Sequence, residues 1–267
     1  MIRTATRADL PRLTALFANA NDAPYDLGVV AAEKCFGAGV SGDPVVRVFG
    51  DFAGVSVTCA KSLRILAVDR EQRRQGIGTA LLRDAESRGA RIVAAEAGNY
   101  FTPGVVMSDT VTIDFFTKRG YRETANTYNL VADKLPTKIP PDVIRATNKT
   151  RDRLLAFIEK EFGRIWRFEA SNAGDNLFYV EVDGTIAGFA AHEANNRGLG
   201  FFGPTGVARA HRGRGLGASL LRASLADLRR LGYPRAIIPW TDALEFYRKA
   251  CGATVAAEFV TLARTLG

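Results

Sequence analysis

Apolar residues recur at helical spacing after the start signal Thr6-Arg7-Ala8-Asp9, at Leu10, Leu13, Leu16 and Phe17, and predict a helix behind a short strand at residues 2–5. A second helix is expected over 29–36. The pattern then changes to strands at 45–49 and 54–58, set apart by Gly50-Asp51 and Ala53-Gly54, and to a third apolar run at 63–68. Residues 121–130 read as a strand closing this first half. Leu135-Pro136-Thr137-Lys138-Ile139-Pro140-Pro141 follows, and its prolines fit neither a packed helix nor a central strand, so it is the expected linker. In the second half a long helix is expected over about 151–162, carrying Leu154, Leu155, Phe157, Ile158 and Phe162. A hairpin follows, 177–182 and 186–191 about the turn Asp183-Gly184, and the chain closes with a strand at 254–263.

Between these flanks one pattern is written twice. Arg73-Arg74-Gln75-Gly76-Ile77-Gly78-Thr79-Ala80-Leu81-Leu82-Arg83 and Arg212-Gly213-Arg214-Gly215-Leu216-Gly217-Ala218-Ser219-Leu220-Leu221-Arg222 both read Arg-x-x-Gly-x-Gly-x-x-Leu-Leu-Arg. Each follows an apolar run ending in a valine, Val68 or Val207, and each opens a helical apolar spacing, Ile77, Leu81, Leu82 and Ala85 or Leu216, Leu220, Leu221, Leu225 and Leu228. A strand (91–95; 236–238), an aromatic helix (Ile113 to Lys118; Leu244 to Lys249), a glycine (Gly120; Gly252) and a last strand come next in both. The repeated order of strand, loop, helix, strand, helix and strand predicts two tandem α/β domains of α+β mixed-sheet type. Their expected bounds are 1–135 and 142–267, joined by 136–141.

Composition narrows the chemistry. The chain has 267 residues, 47% of them hydrophobic, enough for two cores. No run approaches the roughly 18 apolar residues of a membrane span, and the start resembles no signal peptide, so a cytoplasmic protein with no membrane partner is expected. Cys35, Cys59 and Cys251 are scattered and only two histidines occur, which supports neither a disulfide framework nor a metal site. The net charge of +8 could serve an anionic ligand or a nucleic acid. Arginines gather at the two glycine segments, and no helix interleaves basic and aromatic residues, so the anionic ligand is favoured and nucleic acid is not the expected partner.

A loop that bares amides at a helix start binds phosphate oxygens, because those N–H groups are unpaired and carry the positive end of the helix dipole. Gly76, Gly78, Gly215 and Gly217 remove side chains where a pyrophosphate would lie, and Arg73, Arg74, Arg212 and Arg214 add positive charge. The bland alternative is a turn that merely reverses the chain. No lysine follows either glycine pair, against a nucleoside-triphosphate loop, and the third glycine of a dinucleotide fingerprint is missing from both copies.

The two segments resemble the hallmark Gln/Arg-x-x-Gly-x-Gly/Ala of the GCN5-related N-acetyltransferase (GNAT) superfamily, and the resemblance covers nearly the whole chain as a tandem pair. It implies acetyl-CoA as cofactor, with the preceding strand pairing to the pantetheine arm and the loop holding the pyrophosphate. The positions concerned are Val68, Arg73, Arg74, Gln75, Gly76, Ile77, Gly78 and Thr79, and Val207, Arg212, Gly213, Arg214, Gly215, Leu216, Gly217 and Ala218.

Acetyl transfer to an amine needs a neutral amine, a polarised carbonyl and a proton donor for the thiolate. In the family a tyrosine on the late helix usually gives that proton. Tyr247 occupies its position in the second half and Phe116 in the first, which assigns catalysis to the second half. The one extra residue before Gly252, compared with Gly120, argues for a bulge there, and Tyr247 could equally be a core aromatic. His192 and Glu193, at the end of the adjoining strand, are the candidate bases; Asp242 reads better as a helix cap. In the loop 98–105, Tyr100 and Phe101 are candidates to stack on a substrate sugar, with Trp240 in the shorter counterpart, although an aromatic loop can also simply pack. The sequence thus predicts an N-acetyltransferase acting on a primary amine of a small molecule, with an amino sugar as first guess, as a monomer or homodimer. The rival is a CoA-binding regulatory protein without turnover.

Overall fold

The computed structural model describes residues 1–20 and 22–265. The chain forms two compact units, Met1–Thr127 with Ala257 onward, and Tyr128–Ala256. They do not part at the proline-rich segment. The chain instead passes from one unit to the other inside two long strands, and Leu135 already lies in the second unit's core, its carbonyl accepting from Arg229 at 2.8 Å.

The first unit begins with β1 (Ile2–Thr4), α1 (Leu10–Ala20), α2 (Ala31–Phe36), β2 (Val45–Phe49), β3 (Gly54–Cys59) and β4 (Ser62–Val68). It continues with α3 (Ile77–Ser87), β5 (Ile92–Val93), β6 (Val105–Val106), α4 (Thr110–Thr117) and the start of β7 (Arg122–Ala132). The apolar stripe of α1 behaves as its spacing predicts, with Leu13, Leu16, Phe17 and Ala20 buried. β1 to β4 run antiparallel to their neighbours and β4 runs parallel to β5, which makes the sheet mixed, as expected. All six residues of β3 are buried, as fits an interior strand between β2 and β4.

The second unit takes up the rest of β7 and adds β8 (Ile144–Arg145), α5 (Asn148–Phe162), α6 (Arg164–Ser171), β9 (Leu177–Val182) and β10 (Thr185–His192). β11 (Phe202–Val207), α7 (Leu216–Arg230), β12 (Ala236–Thr241), α8 (Leu244–Cys251) and the start of β13 (Thr254–Ala263) complete it. The expected single helix to Phe162 is followed by a second one, because Gly163 at φ 90° turns the chain sharply.

The closing strands cross over between units. Residues 128–132 of β7 pair with β12 in the second unit, whereas residues 259–263 of β13 pair with β6 and β5 in the first. Each core accordingly contains apolar residues from the other half of the sequence: Val260 and Leu262 pack with Leu63, Leu82 and Phe116, and Leu130 and Ala132 pack with Leu220, Leu225 and Tyr247.

The repeat extends into the packing. A Cβ on Gly54 would lie 2.9 Å from Ile77 and 3.0 Å from Leu81; one on Gly188 would lie 3.1 Å from Leu220. A glycine on an interior strand thus lets α3, and likewise α7, lie close against its sheet.

Candidate functional site

In the first unit β4 and β5 pair only through Ser62↔Ile92 and Leu63↔Val93. Beyond Val93 the chain turns away through Ala94 and Ala95, both at positive φ (54° and 41°), so among the described residues no strand pairs with that edge of β4 from Arg64 to Val68. A strand edge left open in this way offers N–H and C=O groups to any extended amide-bearing chain. The gap opens into a cavity of about 810 Å³, walled by β4, the start of α3, the 101–106 segment and α4.

The glycine segment closes one end of the cavity. Gly76 is the N-cap of α3 at φ 81°, ψ −3°, and no side chain caps the helix, so the amides of Ile77, Gly78 and Thr79 begin a helix without internal acceptors. Nothing lies within 4 Å of where a Gly76 Cβ would point. Arg73 does not reach into this space as free charge. Its Nε donates to Val68 O at 3.2 Å, its Nη2 donates to Ala20 O at 2.9 Å, and it pairs with Asp22 at 2.7 Å. It is a bracket holding the loop to β4 and α1. Arg74, at φ 67°, is exposed, and Gln75 is exposed beside it.

Other charges are sealed behind β4. Arg64 forms a two-pronged pair with Glu96 (2.6 and 2.7 Å), and its Nη1 also donates to the carbonyls of Lys34 and Gly37 at 2.9 Å each. The fully buried Lys34 ammonium donates to Glu33 at 2.6 Å and to Asn99 at 2.8 Å. Opposite charges are matched here, as burial requires. The cluster ties α2, β4 and the loop after β5 into one wall. Phe101 and Thr102 of that loop line the cavity; Tyr100 and Phe101 are each only 5% exposed, so the loop packs inward instead of offering exposed rings.

The second glycine segment has the same backbone. Gly215 caps α7 at φ 79°, ψ −5° without a side-chain cap, and Arg212 Nε donates to Val207 O at 3.1 Å. Gly213, at φ 79°, stands where the first copy has Arg74. β11 again leaves its neighbour early, since Phe201↔Ile237 is a single parallel bridge and the register of β12 is broken between Ile238 and Thr241, where Trp240 sits at φ 48°. On the α5 and α6 side, however, Gly206 is covered. A Cβ there would lie 2.6 Å from Phe162 and 3.0 Å from Trp166, two rings stacked 5.2 Å apart.

Scanned against protein-family models, residues 29–123 match the acetyltransferase (GNAT) domain and residues 146–253 match the acetyltransferase (GNAT) family. The chain belongs to the GNAT acetyltransferase family and carries two such domains in tandem. No curated protein matches its sequence. Among solved structures it resembles a GCN5-related glucosamine N-acetyltransferase region of a fungal multi-domain GH3 beta-N-acetylglucosaminidase (TM-score 0.78, 19% identity, 98% of this chain and 38% of that one). It therefore spans well under half of that larger protein. A GCN5-related N-acetyltransferase from Sphaerobacter thermophilus (0.71, 21%, 98% and 94%) and a tandem GNAT protein from the clavulanic acid biosynthesis pathway (0.66, 16%, 98% and 97%) are also similar. At these identities the likeness is one of fold. No helix among the described residues is long and apolar enough to cross a membrane.

Within this GNAT frame the two candidate bases are structurally engaged. His192 is fully buried, stacks on Phe178, and places Nε2 3.0 Å from Asp227 Oδ2. Asp227 also accepts from Arg145 (2.6 Å) and Arg230 (2.7 Å). Glu193 accepts from the amides of Gly198, Gly200 (2.8 Å) and Phe201 (3.0 Å) and from the Tyr233 hydroxyl (2.7 Å), which makes it the organiser of the 194–201 loop. Tyr247 lies in the second core against Phe202 and Phe246, 8% exposed. Burial raises its phenol pKa and keeps the group protonated, and its backbone carbonyl accepts from Cys251 Sγ at 3.2 Å. Trp240 is 37% exposed, its amide donating to Asn129 at 2.8 Å.

Arg119 lies outside the motifs of the sequence. Its guanidinium lies 3.9 Å over the Phe115 ring, donates to Thr79 Oγ1 at 2.8 Å and to Phe115 O at 2.7 Å, and lines the cavity. Comparing the copies gives the signal, because Ala250 follows Lys249 where Arg119 follows Lys118.

Proposed function

We propose that this protein is an acetyl-CoA-dependent N-acetyltransferase acting on a primary amine of a small molecule, with its cofactor held in the first unit. The observation that carries this is the cavity of about 810 Å³, bounded at one end by the uncapped start of α3 and along one side by the open edge of β4. Acetyl-CoA supplies an activated acetyl thioester. The amides of Ile77, Gly78 and Thr79 suit its pyrophosphate, and the edge of β4 suits the amides of the pantetheine arm. Leu66, Ala67, Phe101 and Val105 are apolar parts of the cavity lining, and a hydrogen bond formed against them is strengthened by the lower local dielectric. An amino sugar is the acceptor class of first choice, in keeping with the glucosamine N-acetyltransferase among the similar structures.

A second placement of the chemistry, in the second unit, is favoured by Tyr247, a protonated phenol at the position of the family's acid. One assay decides. CoA thiol release is followed with acetyl-CoA and a panel of small amines including glucosamine, for the unaltered protein and for Tyr247→Phe. Amine-dependent release supports the proposed function, and tight CoA binding with no release across the panel favours the regulatory alternative. Release that survives in Tyr247→Phe places the reaction in the first unit; loss of more than about a hundredfold, with folding intact, places it in the second.

A further inference from the structure

Resting on the cofactor site proposed above, we infer that Arg119 is the residue by which the first unit selects a pyrophosphate-bearing ligand, and that the second unit has no equivalent. Arg119 is a cationic side chain that forms an ion pair with no carboxylate among the described residues. Its contacts are a hydroxyl, a carbonyl and an aromatic face, all neutral: Thr79 Oγ1 at 2.8 Å, Phe115 O at 2.7 Å and the Phe115 ring at 3.9 Å.

Thr79 stands in the first turn of α3, at the positive end of its dipole. Two positive features are therefore held together on one cavity wall, and among the described residues no carboxylate forms an ion pair with Arg119. The bond to Thr79 sets the guanidinium beside the amides that suit a pyrophosphate, and its stacking on Phe115 limits the side-chain freedom lost when an anion is gripped. The neighbouring Lys118 pairs with Asp114 at 2.8 Å and Arg73 with Asp22, which leaves Arg119 and the exposed Arg74 on the lining; of these, Arg119 is the one that Thr79 holds against the start of α3.

The second unit keeps the glycine backbone and changes these side chains. Ala218 replaces Thr79 and Ala250 replaces Arg119, while Phe246 holds the Phe115 position against Gly217 and is 40% exposed. Equal loops therefore predict unequal binding.

The test measures affinities by calorimetry for CoA, 3′-dephospho-CoA and pantetheine, with the unaltered protein and with Arg119→Met, which keeps an apolar stem on Phe115, and Arg119→Lys, which keeps the charge. Expected is a roughly 10- to 100-fold loss in Arg119→Met for both CoA and 3′-dephospho-CoA, the size of one charged hydrogen bond, with partial recovery in Arg119→Lys and no change for pantetheine. A thermal midpoint within a few degrees of the unaltered protein shows that Arg119→Met is folded; were it not, Arg119→Lys and Thr79→Val carry the same comparison. A loss confined to CoA would move the contact to the 3′-phosphate and overturn the assignment, as would unchanged affinity in Arg119→Met. Failure of the unaltered protein to bind CoA would instead sink the cofactor site itself, and this inference with it.

Discussion

Two glycines in matched positions allow one perturbation to be applied twice. Gly76 (φ 81°, ψ −3°) and Gly215 (φ 79°, ψ −5°) cap their helices in the same left-handed conformation, and a Cβ on either meets nothing within 4 Å. Replacement by alanine therefore introduces no clash. Its cost is backbone strain, roughly 1–2 kcal/mol for an L-residue in that region, offset in part by the lower entropy of the unfolded alanine chain, about 0.4–1 kcal/mol. A net loss of about 1 kcal/mol is expected for each variant, equivalent to roughly 2–4 °C in thermal midpoint for a protein of this size. The functional consequence should differ. Gly76 lines the large cavity, so Gly76→Ala places a methyl group where the cofactor is proposed to approach the main chain, and CoA affinity should fall about tenfold or more. Gly215→Ala should lose the same stability and leave that binding event unchanged. Circular dichroism melts and calorimetric titration with CoA measure both. Equal affinity losses in the two variants, or full affinity in Gly76→Ala, would refute the assignment of the cofactor to the first unit.

Two further outcomes follow from buried groups. Burial alone would raise the Asp227 pKa, but hydrogen bonds from His192, Arg145 and Arg230 outweigh it and hold the carboxyl well below its usual range. A depressed native pKa stabilises above the unfolded value of about 3.9 and is lost as pH falls toward the native one. Asp227→Asn should thus cost about 3–5 kcal/mol at neutral pH and progressively less below about pH 4, as read by urea unfolding at several pH values; a difference that does not vary with pH would count against this account. Burial also pushes the Cys35 thiol up to about 12, and burial together with Glu96 pushes Cys59 up to about 11. The native protein should therefore react with a disulfide thiol reagent at pH 8 at Cys35 and Cys59 only on unfolding, leaving the thiol-release assay free of their signal. Fast labelling of either cysteine in the native state would show that the burial is wrong.

Much of this protein was legible in its sequence because it rests on local rules. Periodic apolar positions gave α1, α3, α5 and α7, and a glycine pair ahead of Leu-Leu gave both helix starts, since only glycine enters the left-handed cap without strain. The repeat gave two domains of one family. Tertiary structure decided what depends on residues far apart in the chain. The units part inside β7 and β13 and not at the prolines, because strand partners, not linker composition, determine which core a segment joins. The large cavity lies in the first unit because β5 breaks from β4 at Ala94 and Ala95, two residues whose identity gives no warning of positive φ. His192 and Glu193, chosen for their chemistry, are engaged by Asp227 and by loop amides that no spacing rule connects to them. Arg119 meets Thr79 across 40 residues, and only packing could place that unneutralised charge at the mouth of a helix.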